Sequence, residues 1–378
     1  MILGTLLGVA LVILILIDAF ETILQPRRVT HRYRFARLYY VNSWRAWRLL
    51  ASAMPAGKKR EATLGIFGPL SLLGLFLLWI IVLIFAFGLL QWSVETRLQT
   101  PDRSVDFATY LYLSGTTIFT LGYGDVVPLT GIGRTLAVME SGLGFAFLAV
   151  VIGYLPVLYG AYSLRETTIS LLDARAGSPP SAAEVLRRAG RSGELSQLDP
   201  MLIEWEQWSA ALLESQLSFP VLGFYRSQHD NQSWLAALTC MLDTCAVLMA
   251  MVKDCNLYRA QLTFAMARHT AVDLSLVIRA TPDFAVPERL SAEQFIRLRQ
   301  VLTDAGLKMH DGETVAAKLT ELRGMYEPFV YALSQRFLLA LPPIIFGGEV
   351  IDNWQRSAGM RRAPGIENLP PSRADEHF

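Results

Sequence analysis

Long apolar runs alternate with short polar stretches along the first 165 residues of the chain. Residues 2–17, 62–94 and 141–164 carry no charged side chain. A helix needs about 20 apolar residues to cross the hydrocarbon core of a bilayer. The pattern therefore predicts three membrane-spanning helices, over residues 1–24, over residues 62–94 and from about Thr135 to Leu164.

The first apolar run could also be a secretory signal peptide. No basic segment precedes it, however, and no small-residue cleavage site follows it, so we expect a true span. Asp18 and Glu21 lie three residues apart and therefore share one face of the helix. We expect both carboxylates near the cytoplasmic interface, facing the arginines that follow.

The stretch between the second and third spans divides into three parts. A polar turn is followed by the apolar segment VDFATYLYLSGTTIFT, residues 105–120, and then by LGYGDVVPLTGIG, residues 121–133. The apolar segment is too short to cross a bilayer as a helix. We expect a re-entrant half-helix, which survives at membrane depth only if it is buried in protein or lines a water-filled cavity.

From Glu166 onward apolar residues recur every three or four positions, which is the helical period. Gly177 to Pro180 interrupt this pattern, and Ser181 is a good N-cap for the next helix. Residues 232–253 are apolar almost all round, which indicates a central buried helix or a subunit contact. Few strand-like alternations occur, so the predicted fold class is all-α. Helices are predicted over residues 182–189, 195–216, 232–253, 257–280, 291–305, 313–340 and 347–358.

Composition and charge indicate how the predicted spans are oriented across the membrane. Hydrophobic residues make up 52% of the chain and charged residues 18%, although the net charge is only +1. Residues 25–60 hold ten Lys or Arg and no Asp or Glu. Because apolar runs flank this segment, the positive-inside rule explains it better than nucleic-acid binding does. We expect a multi-pass protein of the cell membrane, with its N-terminus outside, its C-terminal half in the cytoplasm and no nucleic-acid partner.

The three cysteines all lie in the C-terminal half. An odd number in a cytoplasmic segment argues against a disulfide framework, so we expect buried free thiols. Cys240 and Cys245 fall on different faces of one helix. A metal site that joins them to His229 and His269 is therefore poorly supported.

The segment TLGYGD, Thr120 to Asp125, offers mostly its own backbone as a chemical group. A span, a half-helix, T-x-G-Y-G-D and a second span together resemble the pore unit of potassium channels. The resemblance is firm over residues 62–165. The extra N-terminal span, the junction DAFETILQPRR and the helical C-terminal half resemble a bacterial branch of the two-span potassium channel family.

The resemblance implies a selectivity filter. The carbonyls of residues 120–123 would face a central axis and replace the water around K⁺, and the Thr120 hydroxyl would add a further oxygen layer. Gly122 and Gly124 would supply positive φ without steric cost. Tyr123 would brace the filter outward by packing, and Asp125 at the outer mouth would tie the filter to the half-helix and attract cations. The ion-conducting residues are thus Thr120, Leu121, Gly122, Tyr123 and Gly124.

Three further implications concern assembly and composition. One chain supplies one filter strand and a ring needs four, so the resemblance implies a homotetramer in a lipid bilayer. K⁺ is the conducted ion, and no other metal and no cofactor is expected. The chain then divides into an N-terminal span (1–24), a basic cytoplasmic linker (25–61), the pore domain (62–165), a cytoplasmic helical domain (166–360) and a loose tail (361–378).

Three positions depart from the commonest pattern of the family. Leu121 stands where valine is commoner, Phe119 replaces a frequent threonine, and Thr116 lies where many channels have a carboxylate. The last two face the scaffold behind the filter. Because of these two residues, the rate at which the filter inactivates cannot be predicted from the resemblance, whereas the expected selectivity is unaffected.

The third span carries candidate gating residues. A carboxylate inside a membrane helix indicates function, and Glu140 could lie behind the filter, face the cavity, or form a structural hydrogen bond between helices. Gly142, Gly144 and Gly153 allow bending or close helix packing. Pro156 favours a kink near the cytoplasmic end, which suits a gate. No span carries a regular array of arginines, so a voltage sensor of the usual kind is not expected.

The signal that acts on the helical half is not evident from the sequence. No Gly-rich nucleotide motif follows a strand, and the strands of a cyclic-nucleotide domain are missing. The polar segment 224–234 could line a ligand site with Arg226, His229, Asp230 and Asn231, or it could cap helices. We expect a potassium channel gated at the inner helix through the helical half. The alternatives are a membrane-anchored enzyme or sensor, for which no catalytic constellation is recognisable, and a membrane scaffold with a vestigial pore.

Overall fold

The computed structural model describes residues 1–23, 35–55, 57–101, 104–193, 195–227, 231–312 and 314–347. The chain divides into two compact units, Met1–Gly160 and Ala161–Phe378. The described part is mostly helical, as expected. The division falls a few residues before the boundary at residue 165 that the sequence predicted.

In the described part of the chain, five helices and one two-stranded antiparallel sheet belong wholly or partly to the first unit. Strands β1 and β2 pair antiparallel, with Leu98 opposite Pro128. Helix α5 contributes its residues up to Gly160 to this unit and the remainder to the second. The elements are α1 (Ile2–Ile23), α2 (Phe35–Ser52), α3 (Lys58–Ser93), β1 (Leu98–Gln99), α4 (Phe107–Ile118), β2 (Val127–Pro128) and α5 (Gly131–Ala176).

The second unit is a helical domain. Its helices are α6 (Ala182–Arg191), α7 (Leu198–Ser218), α8 (Trp234–Met251), α9 (Leu257–Ile278), α10 (Ala292–Asp304), α11 (Thr314–Gly324) and α12 (Glu327–Phe337). Short 3₁₀ turns, Leu195–Gln197 and Pro220–Phe224, flank α7. Trp205, Trp234 and Tyr326 are completely buried in the core of this unit.

Four helices in the described part of the chain are long and apolar enough to cross a membrane: α1, α3, α5 and α8. Helix α8 differs from the others because 94% of its apolar window is buried inside the protein. It packs against α6, α9 and α11, which confirms the prediction of a central buried helix. Helices α1, α3 and α5 instead expose apolar side chains such as Leu3, Leu77 and Phe145, which supports a membrane location.

The middle part of the basic linker, residues 25–61, forms the helix α2. Trp44 of α2 is buried with its ring 4.8 Å from that of Phe67 on α3. The indole of Trp47 donates to the carbonyl of Thr63 at 3.0 Å. Basic residues interrupt the apolar positions of α2. Its contact with α3 is made by aromatic side chains, and their role is visible only in the folded chain.

Asp18 is buried within the chain, where its side chain is 4% exposed. Its two oxygens accept from the backbone N–H of Ala36 at 3.1 and 3.0 Å, and one also accepts from the Trp79 indole at 2.9 Å. The first N–H groups of a helix have no acceptor within the helix, and negative charge is favourable there. Asp18 of α1 therefore connects two other helices: it caps the first turn of α2 and binds the Trp79 side chain in the middle of α3.

One predicted helix is divided in the structure. The single helix over residues 313–340 is wrong, because Met325 and Tyr326 separate α11 from α12. Pro328 lies in the first turn of α12, where its missing N–H costs nothing. The helix that contains the third predicted span, α5, runs from Gly131 to Ala176 through Pro156 without interruption and ends at the break predicted at Gly177. The helix predicted over 347–358 and the tail 361–378 lie almost entirely outside the described residues.

Candidate functional site

The segment after α4 has an alternating backbone. Thr120, Gly122 and Gly124 have φ of 54°, 54° and 79°, so every second residue is left-handed. This alternation is what turns successive carbonyls toward one side of a strand. The two glycines adopt the positive φ expected of them. The left-handed Thr120 was not predicted, and it is strained because a β-branched residue rarely adopts that region.

The end of α4 holds this segment by backbone hydrogen bonds. The N–H groups of Leu121 and Gly122 donate to the carbonyl of Thr116, at 2.8 and 3.4 Å. The Thr116 hydroxyl donates to the carbonyl of Leu113 within its own helix, at 3.0 Å. Thr116 therefore lies directly behind the segment, and it acts there through its backbone oxygen.

Asp125 connects the far end of the segment to α4. One carboxylate oxygen accepts from the Tyr112 hydroxyl at 2.8 Å, and the other accepts from the Val126 N–H at 3.0 Å. Within one chain, Leu121 is 53% and Tyr123 is 69% exposed. The segment is thus held by hydrogen bonds at both ends, while the side chains in its middle are exposed on the surface of the single chain.

Glu140 lies behind α4 rather than in an open cavity, since it is completely buried within one chain. Its Oε1 is hydrogen-bonded to the Ser114 hydroxyl. The same hydroxyl lies 2.9 Å from the carbonyl of Ile84 on α3. Ser114 therefore connects all three helices, α3, α4 and α5.

The three candidate glycines of α5 have different surroundings. A Cβ on Gly144 would lie 2.0 Å from the carbonyl oxygen of Ile118, the last residue of α4. A Cβ on Gly142 or Gly153 would meet nothing within 4 Å in the described chain. Gly144 thus permits α5 to touch the end of α4. The sequence allowed either bending or close helix packing at this glycine, and its surroundings are those of close packing.

Aromatic side chains hold α5 against α3. The ring of Phe147 lies 6.0 Å from that of Phe76 and 6.1 Å from that of Trp79, both edge to face. Tyr154 packs on Phe76 two turns further along α5. Pro156 follows this contact inside the continuous helix.

The polar segment of the cytoplasmic half is only partly described. The Arg226 guanidinium donates to the carbonyls of Phe337 and Leu338, at 2.8 and 3.0 Å, where α12 ends. Asn231 has a φ of 66° in a turn before α8. His229 and Asp230 lie outside the described residues. The described part of the candidate ligand site thus makes structural contacts.

The start of the same segment binds the end of α5. Arg165 is 4% exposed and donates to the carbonyls of Leu222 and Tyr225, at 2.9 and 3.0 Å. The Tyr162 hydroxyl donates to the carbonyl of Arg226 at 3.1 Å. The sequence analysis did not single out either residue, although a charged residue that ends a long apolar run was a visible signal.

A buried ionic network in the second unit was also missed. Arg289 donates to both carboxylate oxygens of Asp243, at 3.2 and 2.7 Å, and to Glu327 at 3.0 Å. Arg323 donates to the same Glu327 oxygen at 3.0 Å, and the Tyr326 hydroxyl donates to Asp243. Burial raises the pKa of Glu327 although two guanidinium groups lie beside it. A lone aspartate inside the apolar run 232–253 signalled that a partner was needed, because a buried charge is costly without one.

The three cysteines lie in the second unit. All three thiols are free, and burial raises the pKa of Cys240 and Cys245. Within the described ranges, no group of three or more His, Cys, Asp or Glu side chains is placed to hold a metal ion.

Comparisons with known proteins identify a family match within the first unit. Residues 75–158 match the model of a family described as ion channel, Ion_trans_2. An uncharacterized membrane protein, YdjJ of Bacillus subtilis (strain 168), is 26% identical over 174 residues, which are 45% of this chain and 50% of that protein. Protein LctB of Geobacillus stearothermophilus is 52% identical over 42 residues, which are 11% of this chain and 31% of that protein.

A eukaryotic channel is also similar. Human potassium voltage-gated channel subfamily KQT member 4 is 35% identical over 112 residues, which are 29% of this chain and 14% of that protein. The chain thus spans about half the length, or less, of these curated relatives. No solved structure matches. The range that matches the family model, residues 75–158, begins inside α3, includes α4 and the alternating segment, and ends inside α5. The comparisons therefore support an ion channel in a membrane protein.

Proposed function

We propose that the chain forms a homotetrameric, potassium-selective channel. The observation that carries this proposal is the alternating backbone at Thr120, Gly122 and Gly124, which the carbonyl of Thr116 holds in place. Four copies around one axis would form rings of carbonyl oxygens, with the Thr120 hydroxyl as a further layer. K⁺ would exchange its hydration shell for these rings and move by repulsion between neighbouring sites.

Three features of the chain support this assignment. The human relative is named a potassium channel, and the part similar to it is about a third of this chain. The exposed side chains of Leu121 and Tyr123 leave room for neighbouring subunits to pack against the filter. No catalytic residues are needed for passive conduction, and we propose that the protein is not an enzyme.

Topology and gating complete the proposal. The N-terminus lies outside the cell membrane, and the basic segment and the second unit lie in the cytoplasm, as the positive-inside rule predicts. The gate lies on α5, where Gly144 packs on α4 and where Gly142, Gly153 and Pro156 permit movement. A signal in the cytoplasm acts on this helix through the helical domain.

Ion flux tests the proposal directly. Purified full-length protein in liposomes is expected to carry K⁺ but not Na⁺, and Ba²⁺ is expected to block the flux. Gly122→Ala should abolish selective flux, because an alanine at φ 54° is strained. Gly193→Ala is the matched control, since Gly193 also has a positive φ, 77°, but lies in the helical domain with open space around it.

Two results would contradict the proposed filter. One is equal flux of Na⁺ and K⁺ through the wild-type protein. The other is selective flux that Gly122→Ala leaves intact. Particles other than four chains, measured by native mass spectrometry, would contradict the tetramer.

A further inference from the structure

A cavity of about 360 Å³ lies inside the second unit. The loop before α10, the helix α12 and the segment after α12 form its walls. Volumes of this size are typical of small-molecule sites. Its lining includes Val286, Arg289, Glu327, Tyr331, Leu341 and Pro343. None of these residues belongs to the proposed pore or to the polar segment 224–234.

Arg289 has one hydrogen-bond donor left over. Its two terminal nitrogens make four hydrogen bonds, two to Asp243, one to Glu327 and one to the carbonyl of Pro342 at 2.7 Å. A guanidinium has five N–H groups, so the Nε–H remains. It meets no acceptor among the described residues. An anionic group on a ligand could accept the hydrogen bond from this Nε–H.

Glu327 has one acceptor position left over. Its Oε1 accepts from Arg289 and Arg323, whereas its Oε2 accepts only from Arg323, at 3.2 Å. A carboxylate has about four acceptor positions. The Tyr331 hydroxyl likewise has no hydrogen-bond partner in the part of the chain described. A ligand with N–H donors would therefore find acceptors beside the free donor of Arg289.

The charges at the cavity balance. Asp243 and Glu327 are two acids, Arg289 and Arg323 are two bases, and all four are largely buried. Glu288, which also pairs with Arg323, is mostly exposed, and solvent screens its charge. A ligand with a net charge would bring an uncompensated charge into this site, which is costly, whereas a zwitterion brings its own compensation. Val286, Leu341 and Pro343 add apolar walls.

We propose that this cavity binds a small zwitterion with an apolar side group, the chemistry of a hydrophobic α-amino acid, and that the bound molecule acts on the end of α5. The ligand carboxylate meets Arg289 Nε, its ammonium group meets Glu327 Oε2, and its side group lies on the apolar wall. The binding step stands by itself. The effect on ion flux rests on the proposed channel function.

Contacts within the second unit connect the cavity with α5. Ser334 lines the cavity and donates to the carbonyl of Leu339 at 2.6 Å, just after α12. Arg226 donates to the two preceding carbonyls, those of Phe337 and Leu338. The carbonyl of Arg226 in turn accepts from Tyr162 of α5. A ligand that shifts α12 would therefore shift the segment that holds the end of α5.

Binding is measured first, by calorimetry on the purified full-length protein with L-leucine and L-phenylalanine. N-acetyl-L-leucine lacks the ammonium group and leucine methyl ester lacks the carboxylate, so each should bind at least tenfold more weakly. Val286→Trp should fill the cavity and abolish binding. Ile296→Trp, on the exposed face of α10, is the matched control and should bind like wild type.

Several binding results would overturn the site. They are the absence of binding by either amino acid, equal binding of the blocked analogues, and unchanged binding by Val286→Trp when circular dichroism shows it folded.

The effect on α5 is measured by K⁺ flux in liposomes. The amino acid that binds should change wild-type flux at least threefold. Arg226→Ala should retain binding within about twofold and lose this response, and Arg226→Lys should lose part of it. Ligand binding without any change in wild-type flux would overturn the link to α5. A protein that binds the ligand but never carries K⁺ would instead contradict the channel and leave the binding site standing.

Discussion

Glu140 of α5 and Ser114 of α4 share a buried hydrogen bond, and one helical turn further along both helices Gly144 lies against Ile118. The two contacts place α5 in register with the short helix that carries the filter segment. Ser114 has a single proton, and the carbonyl of Ile84, also within reach, can only accept. Ser114 therefore donates either to Ile84 or to Glu140, and its one proton is shared between the two neighbouring helices.

A hydrogen-bonding group without a charge at position 140 should be enough for function. Glu140→Gln keeps a hydrogen-bonding side chain of similar size and should retain K⁺ flux and stability. Glu140→Ala removes the partner of Ser114 and leaves a void, and should cost about 1–3 kcal/mol. Thermal unfolding and the decay of flux with time would measure both effects. If Glu140→Gln is as damaging as Glu140→Ala, the charge of Glu140 matters and this account is wrong.

Gly144 should not tolerate a larger residue. In Gly144→Ala the added Cβ would meet the carbonyl oxygen of Ile118, and backbone has to move to relieve the contact. Overpacking of this kind typically costs about 1–3 kcal/mol. We expect a lower unfolding temperature and altered filter function in liposome flux. Gly160→Ala is the matched control on the same helix, where a Cβ meets nothing within 4 Å in the chain. Equal loss in both variants would show that helix glycines matter generally rather than through Ile118.

Asp18 should determine whether the start of α2 is ordered. Asp18→Ala removes the acceptor of both the Ala36 N–H and the Trp79 indole, which should cost about 1–3 kcal/mol. Asp18→Asn retains one oxygen and should lose less. Hydrogen exchange of the first turn of α2 measures the effect locally. Trp79→Phe removes the indole donor alone, so exchange at α2 should change little. Unchanged exchange in Asp18→Ala would contradict the capping role.

Glu184 should make α6 sensitive to acid. Burial opposes ionisation of this carboxyl group, but hydrogen bonds from Arg187 and Arg188 outweigh burial and hold its pKa below the usual range. The unfolded chain therefore binds the proton more tightly than the folded chain. The stability from Glu184 is fully present above the usual glutamate pKa, about 4.3, and is lost as pH falls through the lowered pKa.

The variant Glu184→Gln isolates this effect. It should lower the unfolding temperature at pH 7, where the hydrogen bonds to a charged group contribute about 1.5–3 kcal/mol. The difference from wild type should shrink as the pH falls below 4. Exposed Glu293→Gln is the control and should unfold like wild type at each pH. A difference between Glu184→Gln and wild type that does not change with pH would contradict the assignment.

Local signals determined much of the first unit. Length and lack of charge are enough to predict the long apolar helices, because the bilayer sets both requirements. The short α4 also follows from local composition, and the positive φ of Gly122 and Gly124 follows from the resemblance that the TLGYGD motif carries. The break between α11 and α12 was missed because Gly324 and Pro328 each allow several helix boundaries, and neighbouring helices decide among them.

The sequence carries a signal at three acids, because Asp18, Glu140 and Asp243 each interrupt an apolar run. It did not identify the partners, because these are distant in the chain. Asp18 meets Trp79 across 61 positions, Glu140 meets Ser114 across 26, and Asp243 meets Tyr326 across 83. A buried charge states that compensation is required, but only the packing of helices against one another decides which group supplies it.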